Sequence, residues 1–196
     1  MRDDRWAGLR RFRRGERDAS GGEPSGAGAD PDVGTADDLP QWPVRTQANI
    51  WWLGVHPGAG EATMAALAAG TRAAEHCWPV PAGLPAAHHV VLLASLTTEG
   101  LTAAQRAYRQ WAGSDLRNSV RLHGLVLLAT PSRLRDREAR RLQQEITRSV
   151  ARVWVLPWVE AWQDEAPTPG TEVPRAFLTL CDDLALDLRP GYATTR

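Results

Sequence analysis

Apolar residues in this chain gather in short unbroken runs, separated by polar stretches punctuated with proline and glycine. Ile50 to Val55 (IWWLGV), His89 to Ser95 (HVVLLAS), Val120 to Ala129 (VRLHGLVLLA) and Arg152 to Leu156 (RVWVL) each read as a strand. Their nearly continuous hydrophobicity, rather than strict alternation, fits strands covered on both faces of a parallel sheet. Helical patterns lie between them. The first runs from Glu61 to about Ala69 and stops at Gly70; the second is opened by the box Thr102-x-x-Gln105 and turns Ala104, Tyr108 and Trp111 to the sheet. A highly charged helix starts at Pro131-Ser132 and runs to about Arg148, with Leu142 and Ile146 inward. Pro174 starts the last one, whose stripe is Phe177, Cys181, Leu184 and Leu188. Thr71 to Ala87, broken by Pro79, Pro81, Gly83 and Pro85, reads as a connection with room for a short strand. Strands alternating with helices predict an α/β domain with a small parallel sheet and right-handed crossovers.

The ends of the chain follow a different pattern. Met1 to Arg17 carries seven arginines against three acids, and Asp18 to Pro40 carries six acids and no base. With Gly, Ser, Pro and Ala between the charges, residues 1–40 bury too little to offset their ordering entropy and read as a disordered tail. Trp6, Leu9 and Phe12 leave a short basic amphipathic helix open as an alternative. Trp42-Pro43 marks the start of the domain, 41–190, and 191–196 reads as a short C-terminal tail. The 196 residues balance at zero formal charge, so no global field draws in nucleic acid or anionic lipid. Two cysteines, Cys77 and Cys181, form no CxxC, and no apolar run is long enough for a membrane span. Both point to a cytoplasmic setting with no membrane partner. Nine tryptophans imply a large apolar surface, either buried or offered to a partner.

The stretch with most chemistry in it joins the first strand to the first helix: Gly54, then His56-Pro57-Gly58-Ala59-Gly60, then Glu61-Ala62-Thr63. Strand, glycine turn and helix aim main-chain N–H groups at one spot, which is the layout of an anion site. HPGAGEAT resembles a worn copy of the deviant phosphate loop of ParA/MinD-like ATPases, KGGxGKTT. On that pattern Gly58 and Gly60 match glycines and Thr63 matches the last threonine. His56 stands at the signature lysine, Pro57 at a glycine, Glu61 at the phosphate-loop lysine and Ala62 at the magnesium-binding hydroxyl. The resemblance extends over residues 50–160 through ASLTTEG, GLVLLAT and the Leu156-Pro157 turn, which the family places beside the adenine together with Trp158. A group of short actinobacterial proteins with the same worn loop is also similar and offers no activity to carry over.

What the resemblance implies is a P-loop NTPase-like domain of truncated MinD/ParA type, stripped of its chemistry. A carboxylate at Glu61 would face phosphates that the family's lysine neutralises; like charges at ~4 Å and an effective dielectric of ~20 repel by roughly 4 kcal/mol. No lysine exists elsewhere to help, since all 23 basic residues are arginine. The family's base-binding Asn is replaced by Leu128 or Ala129, and the segment bearing the Walker B aspartate and switch II is missing. The expectation is therefore a pseudo-NTPase interaction module that does not hydrolyse ATP and needs no cofactor. Open beside it are a weak ATP or GTP switch using main-chain N–H groups and Thr63, and a nucleic-acid accessory role through the arginine tail and the helix bearing Arg133, Arg137, Arg140, Arg141 and Arg148.

Three further expectations follow. Sequential strands on one side of the loop strand would put all crossover helices on one face. Trp51, Trp52 or Trp154 would then point into a bare face, to be covered by the C-terminal helix or by a protein partner or second subunit. Asp136, Glu138 and Glu145 interleave with the arginines, so that helix reads first as a self-paired solvated face. His56, His76, Cys77, His88 and His89 match no zinc spacing, and no nucleophile stands in a recognisable catalytic setting.

Overall fold

The structure, a computed structural model, describes residues 38–83, 86–131, 137–162 and 167–194. Its centre is a five-stranded parallel sheet in the order β3-β2-β5-β6-β7, built from β2 (Ile50–Gly54), β3 (Thr71–Ala73), β5 (His88–Ser95), β6 (Val120–Leu128) and β7 (Val153–Leu156). The four strands expected from apolar runs are all present within a residue or two. The helices are α1 (Glu61–Leu67), α2 (Thr98–Gly113), the short α3 (Leu116–Ser119), α4 (Arg137–Ser149) and α5 (Arg175–Asp183). Two small parallel ribbons complete the fold: β1 (Gln41–Val44) pairs with β4 (Trp78–Pro81), and β8 (Glu172–Val173) with β9 (Ala193–Thr194).

The expected bare face does not exist. β3 pairs with β2 on the side away from β5, so α1, which joins β2 to β3, crosses the face opposite to α2 and α4. One core lies under α2, α3 and α4 and takes Trp51, Leu53, Leu92, Leu125 and Ile146; the other lies under α1 and α5 and takes Trp52, Met64, Leu93, Val126 and Phe177. Successive strand residues point to opposite faces, which is why adjacent Trp51 and Trp52 enter different cores. Both are buried by this chain's own helices, each removing roughly 150–250 Å² from water. Trp154, half-buried, packs on the second core and donates its indole N–H to Asp183 at 2.7 Å. Of the two covers foreseen, the C-terminal helix is the one in place.

Four boundaries also shift. α2 begins at Thr98, capped by Thr97, whose hydroxyl accepts the Gly100 N–H at 3.1 Å; Thr102 lies inside the helix and donates to the Thr98 carbonyl. The expected cap lies one turn late, and Gly100, inside the first turn, lets α2 close onto β5: a Cβ there would meet the Ser95 carbonyl oxygen at 2.3 Å. Residues 191–194, read as tail, are tied down by β9 and by the Tyr192 hydroxyl on the Pro167 carbonyl. At the other end the tail expectation lies outside the described residues up to 37, while Leu39 exchanges two hydrogen bonds with the Gln110 side chain. Leu188 stands beyond α5 and bridges to Ala68 instead of continuing the helical stripe. Among the described residues no helix is long and apolar enough to cross a membrane.

Candidate functional site

β2 ends at Gly54, the chain turns through His56 to Gly60, and α1 opens at Glu61. Gly58 and Gly60 have φ of 77° and 84°, a left-handed conformation that side chains with a Cβ resist. Ala59 is buried, and its N–H closes the turn on the His56 carbonyl at 3.2 Å. The His56 ring donates from Nδ1 to the Pro57 carbonyl at 2.8 Å. That fixes the tautomer, so Nε2 accepts the Ser95 main-chain N–H and lies 3.0 Å from the Ser95 hydroxyl. The ring thereby fastens the loop to the carboxyl end of β5. Ala62 is exposed and Thr63 half-buried on the first turn of α1.

Glu61 decides what the loop can hold. Its side chain is 8% exposed and folds back beneath the turn, where Oε1 accepts the Gly54 N–H and, at 3.1 Å, the His76 N–H. The His76 ring sits 3.6 Å from the same oxygen and donates from Nδ1 to the Gly54 carbonyl at 2.8 Å. Glu61 and His76 together grip both peptide groups of Gly54. A Cβ on Gly54 would lie 2.9 Å from Glu61 Cγ and 3.0 Å from Ala59 Cβ, so this strand end has space for glycine alone. Each N–H held by a carboxylate contributes roughly 1.5–3 kcal/mol. That offsets the left-handed conformations of Glu75 (φ 54°) and His76 (φ 58°), which cost roughly 1–2 kcal/mol each. Beside them, burial and then the Glu61 and Glu75 carboxylates push the Cys77 thiol up from its ordinary range, which disfavours the thiolate.

In front of the loop opens a cleft of about 560 Å³ at the carboxyl ends of the strands, where ligands enter open α/β sheets. It brings together Gly58 to Thr63 with Pro157 and Trp158, the two groups of residues singled out from sequence. Gly54 and His56 support it from behind, and Pro57 is exposed on the turn. Sequence reasoning missed His76, Ser95, Thr130 and Trp162 as parts of this lining. Ser95 closes a strand at the same end of the sheet as Gly54, which was a usable signal; His76 arrives from a connection whose left-handed turn left no trace in the residue types. The wall is aromatic and apolar: Trp158 is 39% exposed, and Trp162 packs edge-on against Phe177 with centroids 5.0 Å apart. Among the described residues no arginine lines the cleft, and no group of three or more His, Cys, Asp or Glu gathers as metal ligands. Comparison with known protein families, with characterised proteins and with solved structures finds no match to this chain.

Proposed function

We propose that this chain is a degenerate relative of ParA/MinD-like ATPases that works as a non-hydrolysing interaction module. The observation that carries the reading is the Glu61 carboxylate beneath its own loop, bonded to the Gly54 and His76 N–H groups. A phosphate approaching the turn meets this charge with no lysine to offset it, at a repulsion of roughly 4 kcal/mol for ~4 Å and an effective dielectric of ~20. With the loop's polar requirement met from within, nucleotide is not needed to hold the fold, and the cleft and its tryptophans are left for protein contacts. Partner binding or self-association then involves Trp158 rather than Trp51 and Trp52, which are buried.

The cleft's span from Thr63 to Trp158 favours one other reading, a weak ATP or GTP switch with its base on Trp158. Thermal unfolding with magnesium and either nucleotide separates the two. The expected result is an unchanged midpoint at about 1 mM ligand; a dose-dependent rise, which mass action demands of any ligand selective for the native state, overturns the proposal.

A further inference from the structure

We infer that the cleft is a receptor for a cationic nitrogen group, an amidinium, guanidinium or ammonium, carried on a flat apolar body. The inference rests on the reading of the loop as closed by Glu61, and it names the ligand chemistry of that same cleft.

The floor presents acceptors. The described contacts of the Glu61 carboxylate all fall on Oε1, which leaves Oε2 to the cleft that Glu61 lines. The His76 ring donates from Nδ1 to the Gly54 carbonyl, so in the neutral ring Nε2 is the acceptor, and His76 lines the same cleft. A ligand that complements two acceptors carries at least two N–H donors, and a positive charge on it strengthens both bonds. The charge balance points the same way. A full carboxylate outweighs the roughly half charge at a helix end, and no arginine among the lining residues competes for it. Burial of Glu61 to 8% exposure keeps water from screening that charge as it would at the surface. The opposite wall supplies the rest: Trp158, exposed, offers a ring face to a cation or a flat group, and the Trp162–Phe177 pair holds the wall in place.

Such a head group comes from a small amine or amidine, or from an arginine of a partner protein. Calorimetric titration of the full chain with benzamidinium chloride tests the shared chemistry, and benzamide serves as the uncharged isostere. Saturable benzamidinium binding is expected with a dissociation constant at or below about 1 mM. Benzamide should bind about tenfold more weakly, as expected for loss of a charged hydrogen bond. Trp158→Ala, at an exposed position that leaves the core intact, should weaken benzamidinium about three- to tenfold. Glu61→Gln should erase the difference between the two probes. A neutral peptide with one arginine identifies the source: binding tighter than benzamidinium points to a partner's side chain, and weaker binding to a small molecule. Equal affinity for benzamide and benzamidinium, or saturation by neither, overturns the inference. Titration with magnesium-ATP in the same cell keeps the two failures apart. Silence from both cations and ATP removes only this inference, whereas ATP binding removes the closed-loop reading beneath it.

Discussion

Glu61 and His88 stand at opposite ends of one sheet, both buried and both ionisable, and they are housed in different ways. At the carboxyl end the main chain bends to meet the acid: β2 offers the Gly54 N–H, and a left-handed turn fifteen residues on delivers the His76 N–H. At the amino end no such accommodation is made. His88, 0% exposed, donates from Nδ1 to the Pro79 carbonyl at 3.1 Å, while its Nε2 has no partner among the described residues and lies beside Trp51. Next to it His89 and His123 stack at 4.9 Å and share one hydrogen bond, Nδ1 to Nε2, at 2.7 Å. A charge built into the fold is solvated by peptide groups; a ring kept neutral is left with less. The acid end should therefore fail by mutation and the histidine end by pH.

The largest effect is expected from Glu61→Ala, which strips two inward N–H groups of their acceptor. A loss of roughly 2–4 kcal/mol in urea unfolding is expected, and Glu61→Gln, which keeps an oxygen in place, should recover more than half of it. The variant also sharpens the comparison. With the carboxylate gone, the emptied turn should be stabilised by inorganic phosphate, whereas the wild-type chain should not respond. A Glu61→Ala protein as stable as wild type would mean that the acid is not solvated by the loop.

Gly60→Ala comes next. At φ 84° an added Cβ is strained, and it would also press on Leu128 Cδ1 at 2.9 Å. The expected cost is roughly 1–3 kcal/mol by the same measurement. Gly58→Ala has the same conformational strain, at φ 77°, and open space around it, so it should cost less than Gly60→Ala.

These two ends also differ in how far the residues announced them. The strands were legible because a parallel strand buried on both faces needs an unbroken apolar run, as in His88–Ser95. The turn was legible because Gly58 and Gly60 supply the positive φ that it requires. What stayed hidden was set by pairing at a distance. β3 is three residues with an arginine in the middle, and β4 has two prolines; neither resembles a strand until β2 and β1 lie beside it. The room left for a short strand in Thr71 to Ala87 carried no position in the sheet, and without β3 beside β2 the expected face of α1 was reversed, which produced the bare sheet that the structure fills. Glu61 is legible in the sequence as an acid on a first helical turn, but its partner His76 depends on a backbone conformation that neither Glu75 nor His76 favours locally.

The histidine end gives the pH prediction. Burial holds His88 and His123 below the ordinary histidine value, with nearby His89, and for His123 also Arg121 and Arg152, pushing the same way; the Pro79 carbonyl pulls His88 partly back. In the unfolded chain both rings take a proton near pH 6.5, so the native state loses ground as pH falls below that value toward the lowered folded ones. The thermal midpoint should hold steady above about pH 7 and drop as pH falls below about 6.5. His88→Phe keeps a ring against Trp51 and should flatten part of that drop. An equal slope in the variant and the wild type would assign the acid sensitivity elsewhere.

The smallest effect belongs to an acid that only looks comparable to Glu61. Glu145 on α4 accepts from Arg141 Nε at 2.8 Å, four residues earlier, and that hydrogen bond first, with the Arg141 charge also contributing, holds its carboxyl below the usual range. Both side chains stand in solvent, 80% and 43% exposed, where water and salt already screen them. Glu145→Ala should leave the midpoint within experimental scatter and insensitive to added salt. Paired with Glu61→Ala it isolates what burial contributes, because the two changes delete the same group from the same chain. A Glu145→Ala loss as large as the Glu61→Ala loss would mean that removing an acid anywhere weakens this protein, and the contrast between its buried and exposed charges would fall.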